Sequence, residues 1–256
     1  MTSLFENYFG SNTNSTATGH GKSSRFNLET ICDFSHLSQN TQKHLKNVYT
    51  CLMVATLCAT IGVWMSLNGW MNYPRLAVLG SMISSIWLFS TEFNYQNQIK
   101  CFSLFATTAF CTGIYLNPLI DLAINIDPQI VMTAFLLTTC VFVCFTLSAL
   151  LTQKRTYLYL GGLLGSGTSV LLVLSLMNLF GRSELLFNVN LYLGLALACG
   201  YILYDTQLIV ARAQNGESNY IKDALMLFID MVDLFVRILI ILIKNSQKKE
   251  KKSNNR

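Results

Sequence analysis

Histidine is scarce in this chain, and its few copies stand outside the long apolar runs. The three, His20, His36 and His44, all precede the first such run. A Ser-His intramembrane hydrolase and an HExxH zinc protease each need imidazole among their spans, so this inventory excludes both. Proline is equally rare. Pro74, Pro118 and Pro128 are the only copies and fall in or near expected loops, so no span is expected to be broken by one. Charged residues make up 12% of the 256, where a soluble domain carries roughly 25%. The eight cysteines form no CxxC and no regular loop spacing. Most lie in apolar runs, where cysteine behaves as a small hydrophobe, so a disulfide framework is not expected. Cys140 and Cys144 share a helix face, but no further ligand stands near them in sequence to complete a tetrahedral metal site. No cofactor and no nucleic-acid partner are expected.

What fills the chain is hydrocarbon. Hydrophobic residues make up 52% and mean hydropathy is +0.42. Runs near 20 residues match the ~30 Å core of a bilayer. Seven spans are predicted, over 48–67, 76–91, 101–123, 130–151, 157–180, 191–210 and 224–243. The connections are short, so the spans must pack as one bundle. The expected fold is an all-α membrane protein, a seven-helix transmembrane bundle over 34–243 with the last, most polar helix at its centre, crossing fully or re-entrant. Residues 1–33 are expected to be a disordered cytosolic tail, with no apolar signal segment in 1–25, and 244–256 a basic C-terminal tail. The sequon at Asn14 is read as a chance match in that Asn/Ser/Thr-rich tail. Gly161, Gly162, Gly165 and Gly167 form a small-residue face suited to close helix approach. A phosphate loop is the rival reading of GGLLGSG, but no Lys-Ser/Thr follows.

Lys and Arg near span ends set orientation. With a cytosolic N-terminus, Lys43, Lys46, Lys100, Lys154, Arg155, Arg212 and Lys222 lie inside and only Arg75 and Arg182 outside. Seven full crossings would nevertheless send the basic tail to the opposite side. A last segment that does not cross fully resolves this conflict; translocation of the tail despite its charge is the other resolution.

Asp205 and Asp230 each interrupt an apolar run in a chain that keeps most of its charge out of such runs. An ionised carboxylate in hydrocarbon costs several kcal/mol, so such residues face a bundle interior and a partner. Two facing carboxylates cannot both ionise cheaply and are expected to hold one proton between them. Fully ionised, they become an oxygen-rich site of the kind Ca²⁺ accepts, which links proton occupancy to cation passage. No resident metal is expected, only Ca²⁺ transit near the pair. Asp233 stands four residues before Arg237, an i, i+4 pair with a structural role and a possible accessory one in proton sensing. Asp121 and Asp127 read as solvated loop charges. Tyr204-Asp205 resembles one motif of the diaspartyl intramembrane proteases. Their GxGD is missing before Asp230, where LFI stands, and no Pro-Ala-Leu follows, so the chain is not expected to be an enzyme.

YILYDTQLIV at 201–210 followed by LFID at 227–230 resembles the signature region of the Bax inhibitor-1 (transmembrane BAX inhibitor motif) family. FSHLS at 34–38, QKHLKNVY at 42–49, CFTLSA at 144–149 and YLYLGG at 157–162 extend the likeness to the eukaryotic Bax inhibitor-1 branch over nearly the whole chain. The resemblance implies a multi-pass endoplasmic reticulum protein that suppresses cell death and lowers lumenal calcium through a proton-sensitive leak. It also implies six helices around a seventh, with a proton shared by Asp205 and Asp230. By the same resemblance, Bcl-2 family and stress-signalling proteins are partners, beside the lipid bilayer, calcium ions and protons. Two departures stand out. A basic latch residue on the second helix of bacterial relatives has no clear counterpart, since Arg75 only borders that span. Position 233, neutral in relatives, is Asp here. The competing reading is a scaffold without an ion path, acting through partners. Its basic tail, Lys248, Lys249, Lys251 and Lys252 above all, would attract anionic headgroups or acidic segments at about 1 kcal/mol per charge.

Overall fold

The structure, a computed structural model, describes residues 38–71, 73–92, 95–152, 160–181, 183–217 and 219–254. The expected N-terminal tail with its sequon, His20, His36, Cys32, Lys154, Arg155, Arg182 and Arg256 lie outside them. Within the described residues there are seven α-helices and no strand: α1 Gln39–Leu67, α2 Pro74–Ser90, α3 Gln98–Ile126, α4 Gln129–Leu151, α5 Leu160–Gly181, α6 Glu184–Gln214 and α7 Tyr220–Asn254. Five of them, α1, α3, α4, α5 and α6, are long and apolar enough to cross a membrane; α2 is apolar but shorter.

Local chemistry marks the ends. Ser38 caps α1, its Oγ accepting from Thr41 N at 3.3 Å. Pro74 occupies the first turn of α2, where its missing N–H is no loss. Asn219 Oδ1 accepts from Lys222 N at the start of α7. Two helices stop at glycines whose positive φ an L side chain would resist: Gly69 (φ 77°) after α1 and Gly216 (φ 85°) after α6. After α6, Gly216 N bonds Ala213 O and Glu217 N bonds Arg212 O, closing the last turn.

α7 forms the centre, packed against α1, α3, α4 and α6. Ile221, Ala224, Leu225, Leu227, Phe228, Leu234 and Leu239 are wholly or almost wholly shielded. The helix is continuous. Near its start Lys222 Nζ donates to Phe89 O at the end of α2. Near its other end Lys244 Nζ lies 3.0 Å from Glu184 Oε1 at the start of α6 and over the Phe187 ring. From 222 to 244 at 1.5 Å per residue is about 33 Å, so α7 runs the length of the bundle rather than turning back. The backbone of the basic segment, through Lys248, Lys249, Lys251 and Lys252, continues this helix.

Several local expectations change. α1 begins before residue 48, so His44 is helical and buried. Pro118 lies well inside α3 rather than in a loop. Pro118 is exposed rather than packed into the bundle core. Asp121 is on the same helix, and only Asp127 is a true end residue, its Oδ1 accepting from Gln129 N. Of the four glycines from Gly161 to Gly167 on α5, Gly161 and Gly167 meet Tyr204 and Leu197 of α6, while Gly162 and Gly165 face open space. The tightest backbone approach is between α1 and α3 instead. A methyl group at Gly62 would overlap the Phe110 carbonyl, and one at Gly113 the Ala59 carbonyl.

Candidate intramembrane carboxylate site

α6 and α7 bring four charged groups into two layers. On α6, Asp205 and Arg212 are seven residues apart; on α7, so are Asp223 and Asp230. Seven residues are nearly two turns, so each pair lies on one helix face about 10.5 Å apart along the axis. The helices run antiparallel, which sets Asp205 against Asp230 and Arg212 against Asp223.

In the first layer the carboxyl groups of Asp205 and Asp230 are close neighbours facing each other. Two carboxylates have no donor between them, so a hydrogen bond across this pair forms only when one is protonated. Asp205 is 6% exposed. Asp230 Oδ2 is shielded and has no partner among the described residues. Asp233, one turn further along α7, adds a like charge within electrostatic reach of Asp230. Its own carboxylate accepts from Arg237 Nε at 2.8 Å. The Arg237 guanidinium also reaches the Asn190 carbonyl at 3.5 Å. It occupies space that any side chain at Gly194 would fill.

The second layer goes beyond what the sequence predicts. Asp223 is nearly fully buried and holds two partners: His44 Nε2 at 2.8 Å from Oδ2 and Arg212 Nη1 at 3.0 Å from Oδ1. These contacts tie the start of α1 and the end of α6 to the first turn of α7, where a carboxylate also complements the helix dipole. His44 borders an open polar cleft of about 550 Å³ that Asn47, Gln98, Glu217 and Tyr220 also line. The equal seven-residue spacings are the one sequence signal of this layer. By position alone Arg212 is a topology charge, and His44 a residue ahead of the first span.

Among the described residues no group of three or more His, Cys, Asp or Glu is placed to hold a metal ion. Cys140 and Cys144 are free thiols on an exposed face. The arrangement at 205 and 230 can therefore do two things. With one proton it bridges α6 to α7. Without it, two facing carboxylates repel and offer oxygen ligands to a hard cation.

The chain is similar to known proteins over most of its length. The family described as "Inhibitor of apoptosis-promoting Bax1" matches residues 41–247. Bax inhibitor 1 of Bos taurus is 42% identical over 229 residues, covering 89% of this chain and 97% of the relative. Bax inhibitor 1 of Homo sapiens is 40% identical over 231 residues, 89% and 98%. That of Arabidopsis thaliana is 41% identical over 226 residues, 88% and 90%.

Proposed function

This chain belongs to the Bax inhibitor family of multi-pass membrane proteins, and from that premise we propose that it suppresses cell death by a pH-sensitive calcium leak across the endoplasmic reticulum membrane. The observation that carries the reading is the close approach of the buried Asp205 and Asp230 carboxyl groups inside the bundle. A shared proton holds α6 and α7 together; its loss both separates them and creates a cation site. Asp233 and Arg237 set the charge beside the pair and act as accessory groups. The basic segment at 248–252 attracts anionic lipid or acidic protein surfaces. Bcl-2 family and stress-signalling proteins are the partners in that role.

The N-terminus is cytosolic in this reading, and the full-length run of α7 carries residue 254 to the opposite side. A glycosylation acceptor appended after 256 should then be modified in microsomes; an unmodified acceptor would place that end in the cytosol. The leak itself is tested with the purified chain in liposomes loaded with a calcium dye. Calcium flux that changes with pH is expected. Folded protein without flux would remove the ion path and leave the scaffold reading.

A further inference from the structure

Threonines in these helices follow one habit. Thr108, Thr112, Thr138 and Thr168 return their hydroxyls to the carbonyl four residues back. In hydrocarbon that bond is the default, because it silences a polar group that has no water to meet. Thr146 on α4 and Thr206 on α6 depart from it. They are 6% and 0% exposed, and neither hydroxyl has a partner among the described residues. The phenol oxygen of Tyr49 on α1 has the Thr146 and Thr206 hydroxyls within hydrogen-bonding reach, yet among the described residues no contact at it has the distance and angle of a direct bond. Three oxygens from three helices thus converge in the core without bonding one another. A gap between buried polar groups that is too wide or misaligned for a direct bond is where a bridging water sits.

We propose that Tyr49, Thr146 and Thr206 bind one water molecule, and that this water passes protons to and from the Asp205–Asp230 pair. Three partners suffice for a buried water, which ordinarily makes two to four bonds. The level is right for the task. Thr206 is the next residue after Asp205. Tyr49 lies five residues beyond His44 on α1, about 7.5 Å, and Asp230 lies about 10.5 Å beyond Asp223 on α7. The hydroxyl cluster therefore stands between the two charged layers, close to the carboxylates. Asp230 Oδ2 is another buried oxygen there without a partner. The transfer balances: the water takes a proton from one side as it releases another, and Tyr49 can do the same through its hydroxyl. The ionisable groups around the cluster are His44 on α1, Tyr115 on α3, Asp205 and Arg212 on α6, and Asp223, Asp230, Asp233 and Arg237 on α7. The proton-passing part rests on the pH-sensitive leak proposed above; the water site does not.

X-ray radiolysis of the full chain in liposomes tests the water directly, because radicals formed from a bound water oxidise the side chains around it. Oxygen addition at Tyr49 should exceed that at Tyr201, another partly buried phenol, whose hydroxyl already has a direct partner in Thr168. The excess should vanish in Thr206→Val. Equal labelling of Tyr49 and Tyr201, or an unchanged label in the variant, overturns the site. Thermal unfolding is an independent test. Thr206→Val leaves the water and two hydroxyls short of a partner, so the midpoint should fall. In a dry core it would instead remove an unpaired hydroxyl, and a rise or no change overturns the proposal. Tyr49→Phe should slow the leak's response to a step in pH without moving the pH of half-response; an unchanged rate overturns the relay. A parent chain with no pH-dependent leak sinks the proposed function alone, and the Tyr49 label still decides the water.

Discussion

Asp223 and Asp230 stand two turns apart on the same helix, both drawn into the bundle, and are housed in opposite ways. Asp223 has a histidine at 2.8 Å and an arginine at 3.0 Å. Asp230 has another carboxyl group and an oxygen with no partner. The first arrangement satisfies an ion and locks three helices together. The second can be satisfied only by a mobile species, a proton or a cation. One helix therefore carries a fixed clasp and a site whose occupancy can change, and the clasp lets the second site change state without the bundle coming apart.

That contrast gives the same residue type opposite effects at the two layers. Asp223→Ala leaves Arg212 and His44 without their shared acceptor and should lower unfolding stability in detergent by about 3 kcal/mol, the usual result of breaking a buried pair. Asp205→Asn and Asp230→Asn remove a charge that has no cation in contact and should leave stability within about 1 kcal/mol of the parent. Comparable losses at all three positions would erase the distinction between clasp and switch.

Asp233 tests the middle case, a carboxylate beside the switch that has its own cation. It is partly exposed, so its pair with Arg237 should contribute only about 1 kcal/mol. Asp233→Asn and Arg237→Gln should each reduce folded yield, and the double variant should regain part of it. Full yield with a lost pH response in Asp233→Asn would make it a third sensing residue. The smallest effect is expected from deleting 246–256. Leak in liposomes of neutral lipid should be unchanged, because the deleted charges attract only anionic surfaces; loss of leak with folded protein would show that this segment gates the path.

The seven helices and the central last helix are legible in apolar run lengths and in the polarity of 224–243, because hydrocarbon imposes both. The Asp233–Arg237 contact is legible too, since i, i+4 neighbours meet on any helix. The His44–Asp223–Arg212 clasp is not, because it joins residues 179 positions apart and depends on how far α1 extends below its apolar part. Glycine misleads for a related reason. Gly161 to Gly167 are dense in sequence, yet α5 packs chiefly on α6 and half of them face outward. The isolated Gly62 and Gly113 hold the closest approach, which only the pairing of α1 with α3 reveals. Proline's usual habit puts Pro118 in a loop, and a long membrane helix with an exposed face overrides that habit.

The most direct measurement is the pH titration of calcium release from liposomes carrying the parent chain, Asp205→Asn or Asp230→Asn. One carboxylate alone cannot share a proton with a partner, so the parent should show a pH-dependent leak and each variant a flat one. A parent-like pH response in either folded variant would contradict the assignment of the switch to Asp205 and Asp230.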